Sequence, residues 1–134
     1  MSARHLNTGH AGEQAAQAYL QSCGYTIVAR NWRGGGGELD MVCRHGQELI
    51  FVEVKTRAKA GRTLPIQALT VAKQRKLIRA ASAYLSRHQL WDAPCRFDII
   101  SVHADSSGHQ VEHCRNAFEI ASVMDSRHSS WQPW

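Results

Sequence analysis

Apolar residues recur every three or four positions over residues 11–23. Gly12, Ala15, Ala16, Tyr19, Leu20 and Cys23 share one stripe at 100° per residue, and Gly24 stands where a helix of that kind stops. The same period over Thr70–Arg87 gathers Thr70, Val71, Leu77, Ile78, Ala81, Tyr84 and Leu85, with Gln74 in the middle of the stripe. Between these helices the pattern changes. Tyr25–Arg33, Glu38–Arg44 and Glu48–Arg57 are rich in β-formers and separated by turn residues, so they predict strands. Leu64–Leu69, with Pro65, leads into the second helix; Arg96–His103 and Val111–Ala117 predict two more strands. Helix, three strands, helix and further strands predict one α/β domain over residues 1–125, a mixed β-sheet flanked by helices. The tail at 126–134, with Trp131 and Trp134 around Pro133, is expected to be flexible.

Side chains alternate along a strand, so each middle strand has two faces. Glu38, Asp40 and Val42 share one, opposite Leu39, Met41 and Cys43; Phe51, Glu53, Lys55 and Arg57 share another, opposite Ile50, Val52 and Val54. Gly46-Gln47 fits a two-residue type II′ hairpin loop, which pairs His45 with Glu48. Continued outward, that register sets Asp40 opposite Glu53 and Glu38 opposite Lys55. A three-residue loop would mix the faces.

Two opposed carboxylates repel unless something positive lies between them. Lys55 could fill that role as a structural ion-pair cluster. A hard divalent cation, Mg²⁺ or Mn²⁺, fits the oxygen ligands better and keeps waters free for attack on a phosphate. A lysine beside such a metal helps deprotonate the attacking water or stabilise developing phosphorane charge. Glu13 lies on the shoulder of the first stripe, where capping its own helix is the simpler role. Gln74 points inward and needs a partner, either a loop carbonyl or the carboxylate site. Lys73 lies at the edge of the same stripe, while Arg75, Lys76 and Arg79 face outward as solvated charges or phosphate contacts.

Composition sharpens this only a little. The 134 residues carry 16 Lys+Arg against 11 Asp+Glu, a formal net charge of +5, which is compatible with an anionic partner without requiring one. No apolar run reaches the roughly 20 residues that span a bilayer, and no secretory leader is legible in residues 1–30. Cys23, Cys43, Cys95 and Cys114 are scattered without a C-x-x-C pair, as in a cytoplasmic protein with ordinary thiols. A zinc site from Cys114 with His103, His109 and His113 has no matching ligand spacing. Gly34–Gly37 is no P-loop, because no Gly-Lys-Ser/Thr follows it.

Asp40 followed by Glu53-Val54-Lys55 resembles the D…(D/E)-x-K signature of the PD-(D/E)XK nuclease superfamily, which has the restriction-endonuclease-like fold. The chain is more closely similar to the bacterial YraN-like family, uncharacterised protein family 0102. The matching stretches run in order from Gly9…Gly12-Glu13 with Ala16, Tyr19 and Leu20, through Asn31-Trp32-Arg33, Gly37-Glu38-Leu39-Asp40 and Phe51–Arg57, to Lys73-Gln74-Arg75, Arg96-Phe97-Asp98 and Asn116-Ala117-Phe118. The resemblance implies that Asp40, Glu53 and the Val54 carbonyl bind metal and that Lys55 is the catalytic lysine. Glu13 then matches the extra acidic residue of the Holliday-junction-resolvase-like branch, and Gln74 the polar residue that some branches place on the following helix. It also implies a metal-dependent endonuclease on structured or branched DNA, with DNA favoured over RNA and a homodimer as the candidate assembly, since two symmetric cuts need two sites. Arg33, Arg57, Lys73 and Arg75 are the candidate nucleic-acid contacts, and Arg30 and Arg62 stand behind them as basic surface. The chain departs from the family pattern in Gly34–Gly37, which is expected to make that loop mobile, and in Gln67, where an acidic residue is expected. A non-catalytic nucleic-acid-binding module is the alternative, and a structural or adaptor protein a third reading.

Overall fold

The protein is described by a computed structural model over residues 3–57 and 69–118. Helix α1 (Ala3–Ser22) is followed by strands β1 (Thr26–Gly34), β2 (Gly37–His45) and β3 (Glu48–Arg57), helix α2 (Val71–His88), and strands β4 (Cys95–Asp105) and β5 (Gly108–Cys114). The five strands lie side by side in chain order. β1–β2, β2–β3 and β4–β5 are antiparallel and β3–β4 is parallel, so the sheet is mixed. A parallel pair needs a crossover connection, and α2 lies on it. This is the mixed, helix-flanked α/β arrangement that the sequence pattern anticipates.

Each helix covers one face. Leu39, Val42, Phe51, Phe97 and Ile99 of the sheet pack with Leu77, Ile78, Tyr84 and Leu85 of α2. Met41, Ile50, Val52, Ile100 and Val102 pack on the other side with Ala16 and Leu20 of α1. Thr70 caps α2, its Oγ1 accepting the Lys73 N–H at 3.1 Å, and Gln89 ends the helix in the left-handed conformation. The α2 bounds thus match the expected span closely. Val71, placed in the apolar stripe, is instead 52% exposed, because it precedes the turns that reach the sheet. α1 begins well before residue 11: an apolar stripe records only the turns packed on the sheet, not helix that runs past them.

β5 also departs from expectation, ending at Cys114 rather than Ala117. Asn116 adopts φ 51°, its N–H donates to Asp98 Oδ1 at 3.0 Å, and the Ala117 N–H donates to the Phe97 carbonyl at 2.7 Å. Tertiary capture turns the chain where propensity alone would continue the strand. The face pattern fails at Leu39, which packs beside Val42 in the α2-side core rather than with Met41. Across the ladder, Asn31 has φ 52°, and Ala29 and Trp32 both reach that same core although three residues apart. The β1–β2 ribbon therefore turns over at Asn31 and Asp40, an inversion that strict alternation cannot express.

Gly34–Gly37 is a tight turn seated on α2, not a mobile loop. Gly35 and Gly36 have φ of 62° and 80°, as a two-residue type I′ hairpin requires. A Cβ on Gly35 would lie 2.6 Å from the Arg79 carbonyl oxygen. Residues 64–68 of the Pro65-containing approach to α2, with Gln67, together with Arg62 and the 126–134 tail, lie outside the described residues.

A buried charge network closes the far end of the sheet. Asp98 accepts from Arg96 Nε at 2.9 Å, and a 2.7 Å hydrogen bond joins Asp98 Oδ2 to His113 Nε2. Arg96 also donates to Glu48 and to the Tyr25 hydroxyl, while His113 Nδ1 meets the Tyr19 hydroxyl at 3.1 Å. Burial alone would raise the Asp98 carboxyl, but the His113, Arg96 and Asn116 hydrogen bonds outweigh it and hold it below its ordinary value. A depressed folded-state pKa contributes stability above the unfolded value, and that stability is lost as pH falls through the folded one. Asp98→Asn should cost about 3 kcal/mol at neutral pH, since it leaves the buried Arg96 with only the half-exposed Glu48 carboxylate. Denaturant titrations in acid should show the gap from wild type closing once Asp98 is protonated.

Candidate active site

The hairpin loop is as the sequence predicts: His45 pairs with Glu48 and Gly46 has φ 62°. The β2–β3 ladder runs only to Met41–Val52, however, so the expected opposition of Asp40 with Glu53 and of Glu38 with Lys55 is not made as backbone pairing. Beyond that point β2 stays with β1 as far as Gly37, while β3 stays with β4 as far as Arg57. The sheet parts between β2 and β3. In the opening, the Val54 N–H donates to Asp40 Oδ2 at 2.8 Å, a side chain taking the bond a strand would have made. Glu38 turns to β1 and accepts from Arg33 Nε at 3.0 Å.

Glu53 is buried in this opening. Lys55 Nζ and Lys73 Nζ each lie 3.6 Å from its Oε2. Burial pushes the Glu53 carboxyl up and the Asp40 charge adds to this; Lys73 and Lys55 pull it back only in part, leaving it at about 7. The Asp40 carboxyl is also raised by burial, with the Val54 N–H opposing. Glu13, half-buried on α1, is raised by burial and by Asp40, while a hydrogen bond with the Asn31 side chain favours its charged form. Gly12 brings α1 this close: a Cβ there would lie 2.3 Å from Thr56 Oγ1. Glu13 thus faces the Asp40 cluster and does not simply cap its helix.

The other expected residues divide. Lys73, read as a phosphate contact, reaches Glu53 from the first turn of α2. Gln74 is buried and its Nε2 donates to the Leu69 carbonyl at 3.1 Å, so the loop-carbonyl role is the one it fills. Arg33 and Arg75 are exposed; the Arg57 side chain lies outside what is described. Asn31 was missed, although an asparagine inside a β-run is a recognisable sign of left-handed backbone. Ser101 was missed too, and His103 entered only through the zinc grouping. They pair with Lys55 and Arg57 across β3–β4, and the buried Ser101 Oγ and His103 Nδ1 have no hydrogen-bond partner among the described residues. Only the β4 register brings them there.

Asp40, Glu53 and the Val54 carbonyl form a hard-oxygen donor set whose crowded negative charge fits a divalent cation. Among the described residues, no three His, Cys, Asp or Glu side chains form a group able to hold a metal unaided, so waters or substrate must complete any such shell. The zinc grouping is thereby excluded for those residues; His113 serves Asp98 instead. Burial pushes the Cys43 thiol up to about 12 and the Cys95 thiol to about 11, in keeping with ordinary structural cysteines.

A folded-state pKa above the usual 4.5 means that the Glu53 proton supports folding. That support is complete below about pH 4.5 and lost as pH rises through about 7. In EDTA at pH 8, Glu53→Gln should therefore be more stable than wild type by about 1–2 kcal/mol. The advantage should vanish at pH 4.5, as read from denaturant midpoints at the two pH values.

Residues 12–102 match the family described as "Uncharacterised protein family UPF0102". A UPF0102 protein of Nitratidesulfovibrio vulgaris is 47% identical over 134 residues, covering 100% of this chain and 99% of the relative. One from Lawsonia intracellularis is 44% identical over 126 residues, covering 94% of this chain and 96% of the relative. Among solved structures, Pyrococcus furiosus SfsA in complex with Ca²⁺ is similar over 87% of this chain at 18% identity and a TM-score of 0.40; this chain spans 65% of its length. A likeness that loose says nothing of the site. Among the described residues, no helix is long and apolar enough to cross a membrane. Matched along the family's pattern and at close to half identity over its whole length, the chain belongs to the UPF0102 family.

Proposed function

We propose that this protein is a Mg²⁺- or Mn²⁺-dependent cytoplasmic endonuclease, hydrolysing phosphodiester bonds in structured or branched DNA. The observation that carries the reading is the opening between β2 and β3. There, burial raises the Asp40 and Glu53 carboxyls, and the Asp40 charge raises Glu53 further although two lysines already stand beside it. Asp40, Glu53 and the Val54 carbonyl would hold the cation. A bound divalent ion supplies an activated water and positive charge at the scissile phosphate.

The chain's own groups then have separate tasks. The Val54 N–H fixes one Asp40 oxygen and so orients the carboxyl toward Glu53, with which it shares a hydrogen bond. Lys55, with a side chain 31% exposed, is placed between Glu53 and solvent, where it can stabilise negative charge growing on phosphate oxygens or take part in proton transfer. Lys73 shields Glu53 from the opposite element, α2. Glu13, steadied by Asn31, adds a third carboxylate near Asp40 to orient a water or a second ligand shell.

One observation favours a second reading. Lys55 and Lys73 together already balance much of the Glu53 charge, as they would in a nucleic-acid-binding module without chemistry. Cleavage of flapped, four-way-junction, duplex and single-stranded DNA with Mn²⁺ or Mg²⁺ separates the two. For the nuclease, Asp40→Asn and Glu53→Gln should each lower the rate at least 100-fold and abolish Mn²⁺ binding by calorimetry, with DNA binding retained. Lys55→Ala should cost about 10²–10⁴-fold in rate. DNA binding with neither cleavage nor Mn²⁺ uptake by wild type would establish the binding module.

A further inference from the structure

Beside the carboxylates lies a cleft of about 580 Å³ between the β1–β2 turn and the first turns of α2. Arg33, Lys73 and Lys76 line it, with Gly36, Gly37 and Glu38. Lys73 belongs to both places, since its Nζ is 3.6 Å from Glu53 Oε2, and so the cleft opens directly onto the candidate active site. We propose that this cleft is the track for one unpaired nucleic-acid strand running away from the scissile phosphate, a proposal that rests on the nuclease reading.

Charge, shape and rigidity all point to that ligand. The three cations are the residue types that contact phosphate oxygens. Glycines in the wall leave the backbone bare, so a sugar-phosphate chain can approach closely. The wall is also fixed: a Cβ on Gly37 would lie 3.0 Å from the Lys76 carbonyl oxygen, so the turn rests directly on the α2 backbone. The volume falls within the roughly 300–1,000 Å³ of pockets that enclose one small ligand, the scale of about one or two nucleotides and not of a duplex. Among the described residues, no aromatic side chain lines the cleft to stack a base, so recognition is of backbone and tolerant of sequence. Glu38 holds Arg33 at 3.0 Å in the free protein, and an incoming phosphate must compete with it for that guanidinium.

The test is fluorescence anisotropy of a short labelled oligothymidylate, and of a duplex of the same length, over a range of salt and in EDTA so that nothing is cut. Lys76→Ala and Arg33→Ala should each weaken single-strand binding about five-fold and lower the salt slope by about 0.7 per lost contact. Glu38→Gln should tighten it two- to five-fold (roughly), a gain that misfolding does not produce. Arg87→Ala, at the other end of α2, should match wild type. Unchanged affinity and slope in the Lys76 and Arg33 variants, or an equal loss in Arg87→Ala, would overturn the track and leave the nuclease reading standing. Wild type binding neither probe would overturn the track, while the cleavage of flapped and four-way-junction DNA decides the nuclease reading separately.

Discussion

The site depends on one hydrogen bond, from the Val54 N–H to the Asp40 carboxylate. Where β2 leaves β3, backbone donors on the inner edge of β3 lose their ladder partners, and a buried N–H without an acceptor costs about 1–3 kcal/mol. Asp40 supplies the acceptor. In doing so it is drawn into the sheet beside Glu53, where burial makes both carboxyls harder to ionise. The same parting of strands that creates a structural need thus brings two carboxyls within hydrogen-bonding reach of one another. Lys55 and Lys73 approach from β3 and α2, and Glu13 from α1, so one gap collects groups from every layer of the domain.

Much of this was legible in the sequence. Periodicity located both helices, and Gly46-Gln47 set the β2–β3 register correctly from His45–Glu48 through Met41–Val52. The acidic residues at 40 and 53 therefore came out adjacent, although the ladder stops one step short of them. The register argument failed one step further on, because alternation assumes that two strands stay paired to their ends. Nothing local says that β2 will follow β1 instead, except Asn31, whose left-handed backbone marks where the ribbon turns over. Leu39 was misplaced for the same cause.

Other misses came from contacts far apart in the chain. The end of β5 is decided by Asp98, eighteen positions before Asn116. Ser101 and His103 join the face of Lys55 only through a parallel ladder whose register no turn specifies. Lys73 was recognised as a cation near the stripe, but its reach to Glu53 required the relative placement of α2 and β3. The glycine run was read as mobile, although bare backbone serves equally for close packing, and here Gly35 rests on the Arg79 carbonyl. Glycine content alone does not distinguish freedom from contact.

The seat of α1 on β3 has a further consequence. Gly12 touches Thr56, next to Lys55, and Glu13 follows Gly12 directly. The first helix therefore acts as a spacer whose thickness at one residue sets how far its carboxylate stands from Asp40. A single methyl added at position 12 would lift the helix as a lever, widening the acidic cluster while leaving every charged group chemically intact. The calibre of the site is thus held by a residue that carries no chemistry, and a neighbouring chain in this family could tune it by exchanging only the small side chains at this contact.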